Sequence, residues 1–189
     1  MNFGIAKTDI TYESEINNEK KKGVKIDFNY IRKISPYFYI GTGLGFIQNG
    51  DKYDFFMTNE NGEAVGVEKV KQEFNYVNLP IYFGIKYGKN FYFFTDIGVL
   101  PAVLIQSEVK SDLQQWNTNL YDQVDKFDVS GKIRIGVGKH FSDKISSDLN
   151  IGYQKSLKRI DLNSDKLRHV GFLINIGISY KLSGIKDGH

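Results

Sequence analysis

The sequence predicts an all-β fold, an eight-stranded antiparallel up-and-down barrel, on three observations: hydrophobicity alternates with period two along nearly the whole chain, connections are alternately short and long, and the composition is rich in aromatics and glycine. Successive side chains of a strand point to opposite faces, so a repeated apolar–polar rhythm marks a sheet with two different environments. Aromatics make up 14% of the 189 residues, Gly occurs 19 times and Pro three times. That mix suits pleated strands better than helices. One domain over residues 1–182 accommodates the pattern, with residues 183–189 left as a C-terminal tail.

The strands follow in order. The first, about Phe3 to Glu13, alternates weakly, with Ala6, Ile10 and Tyr12 opposing Lys7, Asp9 and Thr11. From Val24 to Ile34, Val24, Ile26, Phe28 and Tyr30 oppose Lys25, Asp27 and Asn29. From Tyr37 to Gln48, Phe38, Ile40, Leu44 and Phe46 oppose Tyr39, Gly41, Gly43 and Gly45. One strand is expected from Gln72 to Tyr87, with Val77, Leu79, Ile81, Phe83 and Ile85 against Tyr76, Asn78, Tyr82, Gly84 and Lys86. Phe91, Phe93, Ile97, Val99 and Val103 then oppose Asp96, Gly98 and Ala102. Phe127, Val129, Ile133, Ile135 and Val137 oppose Asp128, Ser130, Lys132 and Arg134. Leu149, Ile151 and Tyr153 oppose Asp148, Asn150 and Gln154, and the last strand sets Val170 through Tyr180 against Gly171, Asn175, Gly177 and Ser179.

Ser35-Pro36, Lys89-Asn90 and Ser142-Asp143 have the composition of tight hairpin turns. Longer loops are expected at Ser14–Gly23, Thr58–Lys69, Leu113–Gln123 and Asn163–Lys166, the third holding a short helix because Leu113, Trp116 and Leu120 fall at near-helical spacing. Short turns on one rim and long loops on the other are the outer-membrane arrangement, with the short turns and both termini facing the periplasm.

Other classes are excluded by composition. No apolar run approaches the roughly 18 residues of a helical span, and mean hydropathy is −0.36. Without cysteine there is neither a disulfide framework nor a thiolate metal site. A net charge of +3, carried by scattered residues, argues against nucleic acid. Met1-Asn2-Phe3-Gly4 runs straight into a strand, so a leader is expected to have been removed and Met1 added as a start.

The alternation fits a membrane barrel with apolar residues outward or a soluble lipocalin-like barrel with them inward. Eight strands enclose a space just wide enough for side chains to fill. The apolar set of Phe, Ile, Leu and Tyr is too bulky for it, whereas Gly and Ser leave room for long Lys, Arg and Asp side chains. The barrel is therefore expected to face lipid with its apolar set.

The run Asn75-Tyr76-Val77-Asn78-Leu79-Pro80-Ile81-Tyr82, continued by Phe83-Gly84-Ile85-Lys86-Tyr87 and a strand like Phe91-Tyr92-Phe93 to Gly98, resembles the outer-membrane β-barrel domain family widespread in Bacteroidetes. Gly41-Thr42-Gly43-Leu44-Gly45 looks similar too, and the implied architecture is that of small OmpA/OmpX-like barrels. At the chain's end Asn175, Gly177, Tyr180 and Leu182 resemble the assembly signal of final outer-membrane strands. The resemblance implies a bacterial outer-membrane location, contact with membrane lipid and lipopolysaccharide, and handling by the barrel-assembly machinery.

Candidate chemistry is sparse. The glycines of Gly41–Gly45 lie along a strand and do not open a helix, so a phosphate loop is disfavoured. His140-Phe141-Ser142 matches a spacing found in outer-membrane lipid A deacylases, but it falls at a short turn without triad geometry. His140, His169 and His189 lack metal-ligand spacing. Glu19-Lys20-Lys21-Lys22 reads as a solvated loop segment able to meet lipopolysaccharide phosphates. The informative set is interior: Lys25, Asp27, Lys86, Asp96, Lys132, Arg134 and Asp148. Buried charges persist when paired, so Asp27, Asp96 and Asp148 are expected to pair with Lys86, Lys132 and Arg134 as a plug. The expected function is that of a non-enzymatic structural or interaction protein acting through its rim and loops, partners unspecified, with no cofactor. A narrow gated pore through the same charges is the alternative.

Overall fold

The structure is a computed structural model that describes residues 2–12, 19–111, 117–158, 160–162 and 165–182. Among these residues eleven strand segments form one antiparallel sheet: β1 (Asn2–Tyr12), β2 (Glu19–Lys33), β3 (Phe38–Thr58), β4 (Ala64–Asn78), β5 (Ile81–Gly88), β6 (Phe91–Ser111), β7 (Asn117–Asn119), β8 (Phe127–His140), β9 (Ile145–Ser156), β10 (Ile160–Leu162) and β11 (Asp165–Tyr180). The main strands β1, β2, β3, β4, β6, β8, β9 and β11 pair in chain order, with β5 between β3 and β6, β7 on β6 and β10 on β11, and β1 pairs with β11 as well as β2, so the pairing path returns to its start.

The single strand expected from Gln72 to Tyr87 is divided. β4 and β5 both lie between β3 and β6 but are separated at Leu79-Pro80, because Pro80 has no N–H for the ladder. The Leu79 N–H instead donates to the Pro101 carbonyl at 2.9 Å. A second irregularity reverses the faces of β6. Tyr76 opposes Leu104 while Asn75 opposes Gln106, so one residue bulges out. Below it the even positions Asp96 to Leu104 point inward; above it Ser107, Val109 and Ser111 do.

The apolar side chains point outward. Phe28, Leu44, Phe83, Phe93, Ile97, Ile133, Ile135, Ile151, Ile174 and Ile176 are all exposed. An outward apolar band of this extent is a lipid face, and it reverses the arrangement that a soluble lipocalin-like barrel requires. On β6 the band runs from Phe91 to Ile105 and gives way to Gln106, Glu108 and Lys110. Upper β3, β4 and β6 therefore continue past the lipid belt. There Lys110 pairs with Glu108 at 2.7 Å and Glu73 at 3.4 Å.

The short turns form as the sequence predicts. Ser35 Oγ accepts the N–H groups of Tyr37 and Phe38 at 3.3 and 3.1 Å, and Ser142 Oγ accepts those of Lys144 and Ile145 at 3.3 and 3.1 Å. The long loops are shorter than expected. The Thr58–Lys69 loop reduces to residues 59–63, where Asn59 Oδ1 accepts from Asn61 and Glu63 N–H at 3.0 Å each and Gly62 takes φ +80°. Glu19-Lys20-Lys21-Lys22 begins β2 and is not loop; residues 14–18 lie outside the described residues. The helix expected in the third loop falls mainly on residues 112–116, outside the described residues, while the described remainder forms β7 and a single 3-10 turn at Tyr121–Gln123. Asp165 and Lys166 belong to β11, while 163, 164 and the 183–189 tail fall outside the described residues. These segments misled because strand above the belt no longer needs an apolar outer face, so its sequence reads like loop.

Candidate functional site

Alternation on β2, β6 and β8 turns Lys25, Asp27, Asp96, Lys132 and Arg134 into the interior, where all five are buried. Arg134 and Asp96 sit opposite each other on β8 and β6. The guanidinium grips the carboxylate with Nη2–Oδ2 at 2.7 Å and Nε to both oxygens at 3.0 and 3.1 Å. Tyr39 Oη donates to the same Asp96 Oδ2 at 2.9 Å. Lys25 and Asp27, two residues apart on β2, form a second pair. Lys132 shares this layer with its Nζ 5.9 Å from the Tyr82 ring, and the ion pair expected for it does not form among the described residues.

The expected partners are thus only partly correct. Of the three carboxylates, Asp96 takes Arg134, one of the three cations expected for the set, whereas Asp27 takes Lys25, and Asp148 accepts a hydrogen bond from Asn150 Nδ2 at 2.7 Å. Lys86 lies near the short-turn rim with its Nζ 3.4 Å from the Tyr92 ring centroid. Lys86, Asp148, Lys33 and His140 line a cavity of about 140 Å³ at that end, walled on the inner side by Phe94 and Arg134.

Large side chains also enter the interior, contrary to the volume expectation. Toward the short-turn end Tyr39, Tyr82, Tyr92 and Phe94 form a buried cluster. Opposing glycines create the space. A Cβ at Gly41 would lie 2.2 Å from Tyr82 Cζ, one at Gly84 2.3 Å from Tyr39 Cζ, and one at Gly138 2.2 Å from Tyr92 Cζ. Of the glycines expected to make room for charged side chains, Gly41, Gly84, Gly136 and Gly138 admit aromatic rings, and Gly45 faces Asp27. Gly41→Ala is expected to destabilise the barrel by about 1–3 kcal/mol through overpacking. In a Tyr82→Ala background the same change should cost little. Thermal unfolding in detergent of the single and double variants checks this.

Toward the long-loop end Ile47, Phe74, Tyr76, Leu104, Val124 and Leu173 make a second apolar cluster, against which Leu120 and Tyr121 of the third loop pack. Sequence reading missed it, although Leu104 continues the even-numbered interior register of Asp96 and Ala102. Among these groups His169 is buried, with Nε2 3.1 Å from Tyr76 Oη and its ring 5.2 Å from that of Phe74.

The remaining candidates find structural roles. Gly41–Gly45 lie in β3. His140 ends β8, its ring 4.9 Å from that of Tyr92, and Ser142 Oγ is engaged by the turn. His189 lies outside the described residues. In the final strand Asn175 and Gly177 point inward, with Asn175 Nδ2 donating to Asn150 Oδ1 at 2.8 Å, while Tyr180 and Leu182 are exposed.

Comparison with known proteins finds that the family described as "Outer membrane protein beta-barrel domain" matches residues 1–186. No curated protein matches. Among solved structures, Neisserial surface protein A is similar at 9% identity, covering 95% of each chain, with a TM-score of 0.49. Ail of Yersinia pestis, crystallised with the heparin analogue sucrose octasulfate, is similar at 10% identity over 95% of this chain and 94% of that one, with a TM-score of 0.45. The N-terminal β-barrel domain of Pseudomonas aeruginosa OprF follows at 9% identity over 92% and 96%, with a TM-score of 0.35.

Proposed function

Because the chain belongs to the outer membrane protein beta-barrel domain family, a resident of the bacterial outer membrane, we propose that it is a non-enzymatic, non-conducting barrel serving as a structural or interaction protein through its rim and long loops. One observation carries this reading: buried side chains occupy the interior at three levels, an aromatic cluster, the Asp96–Arg134 and Lys25–Asp27 layer, and an apolar cluster beneath the third loop. Filling of this kind among the described residues argues against a continuous wet path for ions, which leaves the lipid band and the strands beyond it as the surfaces for work. Ser142 Oγ, already accepting two backbone N–H groups, is poorly placed as a nucleophile, which supports a non-enzymatic role.

The partners follow from the surfaces. Lipid covers the band, and lipopolysaccharide meets its outer edge. The final strand, with Asn175, Gly177, Tyr180 and Leu182, is the segment offered to the assembly machinery, and protein partners dock on the projecting ends of β3, β4 and β6. Planar-bilayer recording tests the closed interior. The purified protein is expected to give no single-channel steps between lipid-matched leaflets at voltages where an open porin conducts. Resolved unitary currents would instead establish the narrow-pore reading.

A further inference from the structure

At the short-turn end the lumen is not filled by its own side chains, and a cavity of about 140 Å³ remains. Its inner wall consists of Tyr39, Phe94 and Arg134, all buried. The rings around it are pinned, because Tyr39 Oη donates to Asp96 and Tyr92 Oη to the Ser147 carbonyl at 3.3 Å. Arg134 is already paired with Asp96, so the deep wall carries no net charge. Nearer the rim the balance is different. Among the described residues Lys86 makes no hydrogen bond or ion pair, and its Nζ rests over the Tyr92 ring. Lys33 and His140 stand close enough to Lys86 for like charges to repel. Asp148 is the one described carboxylate of the lining, and one of its oxygens accepts from Asn150. Two lysines against one carboxylate leave the mouth with an excess of one positive charge when His140 is neutral.

A concave space with apolar ring walls and a few convergent polar groups is the ordinary form of a small-molecule site. An ammonium group is a donor only, so the two lysines call for an acceptor, and an ionised one gives the stronger bond. A bare inorganic anion would meet them but leave the rings of the inner wall wet. A neutral ring would cover that wall but leave the lysines without a counter-charge. A flat apolar body carrying a single negative charge answers both, and a space of this order holds about one benzene-sized ring. We propose that the short-turn mouth of the lumen binds a small aromatic carboxylate, its ring against Tyr39 and Phe94 and its carboxylate between Lys33 and Lys86. The mouth is blind, so a molecule held there need not pass the ionic layer, and the site is independent of the non-conducting reading above.

The test titrates para-fluorobenzoate into the folded, detergent-solubilised protein and follows binding by fluorine NMR. Saturable binding is expected, weakened about tenfold by Lys33→Gln and by Lys86→Gln, each of which removes one charged donor. Lys33 is exposed, so its variant reports on the site even if Lys86→Gln fails to fold. Para-fluorobenzylamine has the same ring and the opposite charge, and inorganic phosphate has charge without a ring. Each is expected to bind about tenfold more weakly than the carboxylate, or not at all. The absence of saturable binding, an affinity unchanged by Lys33→Gln, or an equal affinity for the amine or for phosphate would overturn the proposal.

Discussion

Arg134→Ala is expected to destabilise the folded barrel by about 3–5 kcal/mol, the usual consequence of removing one partner from a buried ion pair. Asp96 would be left with a fully buried carboxylate whose side chain has no exposed surface, retaining only the Tyr39 hydroxyl of its present polar contacts. The Arg134 guanidinium carbon also lies 5.2 Å from the Tyr82 ring and 5.3 Å from that of Phe94, so the change removes a stacking partner from the aromatic cluster as well. The cluster itself persists, and the variant is expected to remain non-conducting. Thermal unfolding in detergent beside bilayer recording separates the outcomes. A clear current with an unchanged midpoint would show that Arg134 gates a path and is not a structural clamp.

On the opposite face of the same strand, Ile135→Arg is expected to cost about 2–4 kcal/mol for folding into lipid, the penalty of an arginine near the bilayer midplane. Ile135 is 58% exposed and stands among Ile151, Ile133 and Val137 in the outward band. Asn61→Arg, at the tip of the β3–β4 hairpin, should leave folding unchanged within about 0.5 kcal/mol. Refolding yields of the two variants in lipid vesicles measure the difference. Equal yields would mean that the Ile135 face does not meet acyl chains.

The two substitutions also mark what was legible in the sequence. The lipid face was, because the bilayer demands an apolar residue at every second position, and Ile133, Ile135 and Val137 or Ile174, Ile176 and Ile178 meet that demand without exception. Lys25, Asp27, Asp96, Lys132 and Arg134 were legible as interior for the same reason, whereas the buried Asp51, Glu68 and Asp128 were not part of that set. Which charge holds which was not legible, since the Asp96–Arg134 bond depends on the register between β6 and β8, 38 residues apart in sequence. The Lys25–Asp27 pair lies within one strand, where two inward side chains of opposite charge stand next to each other on the same face, so alternation places both inside without saying that they bond to each other. Phe74, Phe94, Leu104 and Leu173 were missed because an apolar residue on the inner face blurs the alternation that reveals strands. The bulge at Ile105 then inverted the rule for the top of β6.

The tyrosines and glycines of β3 and β5 have a consequence for how the chain finds its alignment. The turn joining β3 to β4 lies about twenty residues from Gly41, and the break at Pro80 interrupts the ladder between them, so the turn alone holds the lower pairing loosely. Gly41 faces Tyr82 and Tyr39 faces Gly84. Sliding one strand by two residues keeps every side chain on its proper face, and hydrophobic pattern cannot reject that error. In one direction, however, Tyr39 meets Tyr82 head-on. In the other, Gly41 meets Gly84 across a gap while Tyr39 is driven against Lys86. Only the native alignment seats both rings at once, so the two tyrosine–glycine contacts work as a two-pin key that rejects misthreaded strands before the barrel shuts.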